Sequence, residues 1–299
     1  MPVSRGGAGW GVILLASALF AAPAAARPRA TPVDPAAIAA LPEIATGTVA
    51  SVEDGVTLTL TDGRVLRLAG LLAPAPPLTL GRDARWPSAD AARQGLADLV
   101  LGQAVSLHAA EPAPDRHGRL RGQLLGIDGT WLQPRLVGQG FDRVEPDAAT
   151  APLAGPLFKA EAEARRHRRG LWRLAAYAVR RPDTLGARDT GGFVLVEGRV
   201  LAIAASHDAT YLDFAEDWHH GFTVRIPHWV LARAADFDPA AFEGRRVRVR
   251  GWLAYEGRPI LDLASPAAIE PLSGRRMGPK PASGFPPAPA LRYNDPTSP

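Results

Sequence analysis

Two Asp-Gly pairs, Asp54-Gly55 and Asp62-Gly63, interrupt an alternating apolar pattern near the start of the chain, and they limit what it can fold into more than any other feature. Val49, Val52, Leu58 and Leu60 precede the second pair, and a further apolar run, 65–72, follows it. Alternation places apolar side chains on one face of an extended strand. An Asp-Gly turn supplies the positive φ that a tight hairpin needs. The segment from Gly47 therefore predicts the opening strands of a β-barrel. A helix follows, with Ser88 as its N-cap, Asp90 in its first turn, an apolar face of Ala91, Leu96, Leu99 and Val100, and Gly102 at its end. Strands at 104–108 and 120–127, a turn at Asp128-Gly129, and helices at 132–138 and 157–170 complete this half.

Beyond Trp172, Arg180-Arg181-Pro182-Asp183 and Gly191-Gly192 mark a boundary. Short strand candidates at 193–204, 210–214, 222–226, 246–252 and 260–263 follow at the spacing of a small barrel. The stretch 229–242 predicts a short helix between the third and fourth. Five strands with a helix before the fourth form the OB pattern.

A chain of 299 residues suits two domains at about 150 residues each. Apolar residues at 46% and charged residues at 21% can build real cores, so disorder is expected only at the Pro-rich ends. Residues 1–26 read as an export signal, with Arg5, an apolar run at 10–20 and Ala24-Ala25-Ala26 as the cleavage site. An apolar run this short does not span a bilayer, so no stable membrane insertion is expected. The mature protein is expected to be periplasmic or secreted after cleavage near Ala26. Residues 27–45 read as a linker and 273–299 as a disordered tail. The chain has no cysteine, which excludes disulfides and cysteine-bound zinc. The net charge of +4 is carried almost wholly by arginine, a residue that matches phosphate geometry but is also favoured by a high-GC genome.

Several motifs carry a family likeness. Gly47-Thr48-Val49, Asp54-Gly55-Val56-Thr57-Leu58 and Arg64-Val65-Leu66-Arg67-Leu68-Ala69-Gly70 open it. Asp115-Arg116-His117-Gly118-Arg119, Leu136-Val137-Gly138-Gln139-Gly140, Glu161-Ala162-Glu163-Ala164-Arg165-Arg166 and Gly170-Leu171-Trp172 continue it in order. In these segments the chain resembles the staphylococcal nuclease, or thermonuclease, family. The resemblance implies an α+β, mainly β fold class: a staphylococcal-nuclease-type OB-fold barrel with helices at 46–175, here followed by a second small OB-like β-barrel at 191–272.

The chemistry the resemblance implies is calcium-dependent hydrolysis of a phosphodiester, with two aspartates on the ion, a glutamate activating water and two arginines on the phosphate. A hard cation needs oxygen ligands, and in-line attack needs a base with charge compensation opposite it. Arg67 and Arg119 match the two arginines. The family's Asp-Gly-Asp-Thr reads Asp54-Gly55-Val56-Thr57 here, so Val56 replaces one metal ligand. Its Asp-Thr-Pro-Glu or Asp-Ala-Pro-Glu reads Leu72-Ala73-Pro74-Ala75, so Leu72 replaces the other ligand and Ala75 the base. No cofactor is expected, calcium included.

These departures predict a nuclease-like domain that holds an anionic polymer, nucleic acid foremost, on Arg67 and Arg119. The alternatives are an active divalent-metal nuclease with relocated carboxylates and a protein-interaction module of the cell envelope. Glu53, Asp54, Asp83 and Asp115 are the acids placed to rebuild a metal site, although Asp54 and Asp115 also read as turn formers. Arg67 and Arg119 have a structural alternative, pairing with Asp62 or Asp115. Arg165-Arg166-His167-Arg168-Arg169 reads as a basic helix end that complements the helix dipole. Asp213, Asp217, His219 and His220 form a weak ligand set, since adjacent histidines on a strand face opposite ways. Trp218, Phe222, Trp229 and Trp252 read as core residues or as a stacking platform for bases.

Overall fold

The computed structural model describes residues 35–75, 86–110 and 113–273. The export signal and nearly all of the 273–299 tail lie outside the described residues. The first ordered elements are a short helix α1, Pro35–Ala39, and a long strand β1, Glu43–Val52. They occupy residues 35–45 of the stretch expected as a linker at 27–45; residues 27–34 lie outside the described residues. Ile38 is fully buried and Ala45 nearly so, and both join the first hydrophobic core.

Strands β2, Thr57–Leu60, and β3, Val65–Leu68, form the predicted hairpin across Asp62-Gly63. Asp62 accepts hydrogen bonds from the Arg64 backbone N–H and Nε, and Gly63 takes φ +86°. Leu58, Leu60, Leu66 and Leu68 all turn inward. A two-residue strand β4, Leu71–Leu72, ends this run.

Helix α2, Pro87–Val100, starts one residue before the cap expected at Ser88. Pro87 opens it because the first helical position needs no N–H. The Ser88 hydroxyl sits 3.0 Å from the Tyr177 hydroxyl. The helix buries Ala92, Leu96 and Val100, while Ala91 is exposed and Leu99 half-buried. The close fit of Gly95 on Phe141 sets this rotation: an added Cβ at Gly95 would lie 2.3 Å from the ring.

Strands β5, Ala104–His108, and β6, Leu120–Gly126, then close a barrel in the order β1-β2-β3-β6-β5, with β3 and β6 parallel. Helix α3, Gln133–Gln139, is followed by strand β7, Arg143–Val144, which pairs with β4. Helix α4, Ala154–Arg166, stops short of the end expected at Gly170. Arg168 and Gly170 adopt positive φ, and Gly170 presses against the Gly140 carbonyl so closely that an added Cβ would lie 2.2 Å from it. Among the described residues, no helix is long and apolar enough to cross a membrane.

The second sheet is built from β8, Phe193–Arg199; β9, Ala202–Ala205; β10, Ala209–Asp213; and β11, Thr223–Pro227. A short helix α5, His228–Ala232, precedes β12, Arg246–Tyr255, β13, Pro259–Asp262, and β14, Ile269–Pro271. Strands β9-β10-β11-β13-β12 lie in that order, β11 and β13 are parallel, and β8 pairs with β12. Only Val200 and Leu201 separate β8 from β9, and their amides bond the carbonyls of Arg245 and Asp213. The two segments act as one bent strand. Through that bend the pairing repeats the strand order of the first barrel.

Arg250 of β12 ties the two sheets together. Its side chain is 1% exposed and meets Glu161 of α4, itself fully buried, at 3.0 Å. Nη1 also donates to the Val144 carbonyl at 3.1 Å, Nη2 donates to Glu270, and the guanidinium lies 4.2 Å from the Phe158 ring centroid. Charges taken from water hold only with such dense partnering, and removing one partner leaves the other uncompensated. Arg250→Ala is expected to lower unfolding stability in urea by about 3–5 kcal/mol. Arg166→Ala, which removes an exposed pair with Glu163 on the same helix α4, is expected to leave stability nearly unchanged.

Candidate functional site

The barrel's strand pairing converges arginines on one open face. Thr57, Arg67 and Arg121 stand in register across β2, β3 and β6. Arg119 lies two residues before Arg121, which puts it on the same side of an extended chain. Arg67, Arg116, Arg119 and Arg121 line a groove of about 380 Å³ together with Asp115 and His117. Four guanidinium groups and one carboxylate line it, so the lining itself is net positive.

Asp115 organises the groove's rim. Its Oδ1 accepts the backbone N–H groups of His117 at 2.8 Å and Arg119 at 3.1 Å, and its Oδ2 takes Arg119 Nε at 2.9 Å. Burial works against its charge, but the bonds from Arg119 and His117 outweigh burial and hold its pKa at about 2. The structural pairing of Arg119 with Asp115 is thus present. It commits part of the guanidinium and fixes the direction of the rest. Arg67 has no carboxylate within salt-bridge distance among the described residues; its Nη1 lies 3.4 Å from Thr57 Oγ1. Burial foremost, then the charge of Arg119, lowers its pKa. Arg121 pairs with Asp147 at 2.8 Å. Asp62 pairs with Arg64 and takes no part.

The three family acid positions carry no oxygen ligand. Val56 is fully buried in the core, Leu72 pairs with Arg143 across β4 and β7, and Ala75 is exposed. A hard divalent cation needs several oxygens at once, and these side chains do not fit it. The nearby acids are engaged elsewhere. Asp54 accepts the Val56 N–H at 2.7 Å and the Thr57 hydroxyl at 3.1 Å, closing its own turn. Glu53 accepts from Ser51 and Thr59. Asp83 lies outside the described residues. Among the described residues, no three His, Asp or Glu side chains gather as a metal-binding group.

Residues 66–174 match the model of the staphylococcal nuclease homologue family. The chain carries a staphylococcal nuclease-like domain. The nuclease-like domain extends the match at its start, since β1 and β2 complete the closed barrel ahead of residue 66. A domain of this type points to a nuclease-related or nucleic-acid-binding role for this half of the chain. No curated protein matches.

Three residues of this site escaped the sequence reading. Arg121 was legible in principle, as the second member of the alternating Arg119-Leu120-Arg121. Glu145 is partly buried near Arg67 and Arg121, and burial raises its pKa against their attraction. Asp142 is fully buried against Gly55, where an added Cβ would meet its Oδ1 at 2.6 Å. Neither Asp142 oxygen has a hydrogen-bond partner.

The remaining candidates separate. Arg165 bonds the buried Glu161 and lies over Trp172, while Arg166, Arg168 and Arg169 are exposed. Asp213 bonds the Thr223 hydroxyl inside the second sheet, whereas Asp217 bonds His220 on an exposed loop. Phe222 is buried, Trp218 half-buried under Arg258, and Trp229 and Trp252 are exposed.

Asp142 sets a pH dependence. Burial above all, then the charge of Asp54, pushes its pKa well above the ordinary carboxylate value. As pH rises between the unfolded and folded values, the unfolded chain releases a proton that the folded chain keeps, so stability falls through that window. Asp142→Asn keeps the shape and abolishes the titration. The variant is expected to flatten the stability–pH curve above the ordinary carboxylate range and to gain stability over the parent as pH rises, read from urea midpoints.

Proposed function

We propose that the nuclease-like domain binds the phosphodiester backbone of nucleic acid without hydrolysing it, in an exported protein. The observation that carries this reading is the convergence of Arg67, Arg119 and Arg121 on one open groove, beside Val56, Leu72 and Ala75 where metal ligands and a base would stand. Planar guanidinium forks match phosphate oxygens in pairs, and a preformed cluster of them lowers the ordering cost of binding. Without a base, an enzyme forgoes a factor of about 10² to 10⁴, and without a cation it forgoes further stabilisation of the charge that develops at phosphorus. Calcium is not a cofactor on this reading.

The export signal read at 1–26 supports a periplasmic or secreted setting, where nucleic acid or another phosphorylated polymer would be met free of its cellular packaging. The relocated-carboxylate nuclease finds weaker support. Asp54, Asp115 and Asp147 hold turns or arginines, and Asp142 is sealed from solvent.

Binding carried by phosphate contacts releases counterions, so log K should fall linearly with log salt, with a slope of about −0.7 per neutralised phosphate on a single strand. A salt titration with a labelled single-stranded oligonucleotide is expected to show this steep loss. Arg67→Ala and Arg121→Ala are each expected to weaken binding and to flatten the slope by about 0.7. Salt-insensitive binding, or none, would sink the proposal.

A further inference from the structure

Trp252 belongs to the second sheet yet hydrogen-bonds a first-domain residue, Glu145, that lies near two of the groove's arginines. It is 52% exposed, a large amount of bare indole for a residue in the middle of β12. Its Nε1 donates to Glu145 Oε1 at 2.9 Å. Glu145 in turn feels the charges of Arg67 and Arg121, two of the groove's arginines. The carboxylate that anchors the ring therefore also lies within the electrostatic reach of those guanidinium groups.

The ring is also held still. Phe193 is its partner across β8 and β12 and meets it edge-on, with centroids 5.7 Å apart and planes at 76°. Phe193 is itself fixed from the first domain: the Arg143 guanidinium lies 4.9 Å from its ring centroid, and Arg143 Nη1 donates to its carbonyl at 2.7 Å. An indole anchored by its N–H and braced on one edge keeps its polar group satisfied while offering a face to water. Its rotamer is fixed before any ligand arrives, so stacking on it costs little side-chain entropy. Among the other aromatic candidates, Phe222 is buried and Trp229 carries Arg233 on its ring.

We propose that Trp252 stacks against a base of single-stranded nucleic acid whose backbone phosphates lie on Arg67 and Arg121. The proposal rests on the anion-binding reading of the groove and names its ligand class. A duplex keeps its base faces stacked inside, so only an unpaired strand presents one to the indole. The second sheet thereby contributes a selectivity element to a site otherwise built by the first. Glu145 is the joint: it orients the indole and keeps phosphate from settling directly beneath it.

The test compares a base-carrying single strand with an abasic strand of equal length, on the full chain and its Trp252→Ala and Trp252→Phe variants, by fluorescence anisotropy. The parent is expected to prefer the base-carrying strand. Trp252→Ala is expected to weaken that strand's binding roughly tenfold and to leave the abasic strand within about twofold. Trp252→Phe, which keeps a stacking face, is expected to recover most of the loss. Unchanged abasic binding also reports that the alanine variant is folded. Equal affinity of the parent for both strands, or equal effects of Trp252→Ala on both, would overturn the stacking role while leaving the arginine groove intact. Failure of the parent to bind either strand would overturn the groove's function and the stacking with it.

Discussion

Arg250 reaches out of the second sheet into the first domain, and the short strand β7 depends on where that guanidinium comes to rest. Glu161 receives it and also accepts the Val144 N–H at 3.0 Å, while Arg250 donates to the Val144 carbonyl. Val144 is thus held from both sides by one buried ion pair. Its neighbours along the chain are Arg143, which braces Phe193, and Glu145, which fixes Trp252. The short strand β7 and its flanks are positioned less by sheet bonding, which spans only two residues with β4, than by this interdomain contact. Buried ion pairs gain little net stability over apolar packing, and their better-attested value is in specifying one arrangement. Here the arrangement specified is the seating of the second sheet against α4 and β7.

The barrel of the first domain was legible because its signals are local. Asp62-Gly63, with Gly63 at positive φ, and the inward leucines of β2 and β3 follow from turn chemistry and alternation. The motif order from Gly47 to Trp172 added the topology. Errors came where packing overrode local preference. Ser88 has the residue type of a cap but lies inside a helix opened by Pro87, and residues 35–45 look like linker by composition while Ile38 enters the core.

The site was half legible. Arg67 and Arg119 stood out by motif, and Val56, Leu72 and Ala75 by the absence of acids. Arg121 was within reach of the local alternation with Arg119, and Trp252 was named as an aromatic candidate, but the pairings of Arg121 with Arg67 and of Trp252 with Glu145 join residues 54 and 107 positions apart, which no local pattern announces. Asp142 belongs to the same class. Nothing in Phe141-Asp142-Arg143 signals that this carboxyl is buried beneath Gly55. Its burial beside the Asp54 turn makes its ionisation unfavourable.

What distinguishes a holding site from a cutting site is therefore the balance of charges around phosphorus. Arginines alone stabilise a bound phosphodiester in its ground state, and rate acceleration needs groups that act more strongly in the transition state. The most direct measurement is a cleavage assay on single-stranded and double-stranded DNA and RNA, run across calcium, magnesium, manganese and zinc at protein concentrations that saturate binding. The account predicts bound but intact nucleic acid in every metal. Metal-dependent cleavage that is abolished by chelator and by Arg67→Ala would contradict it.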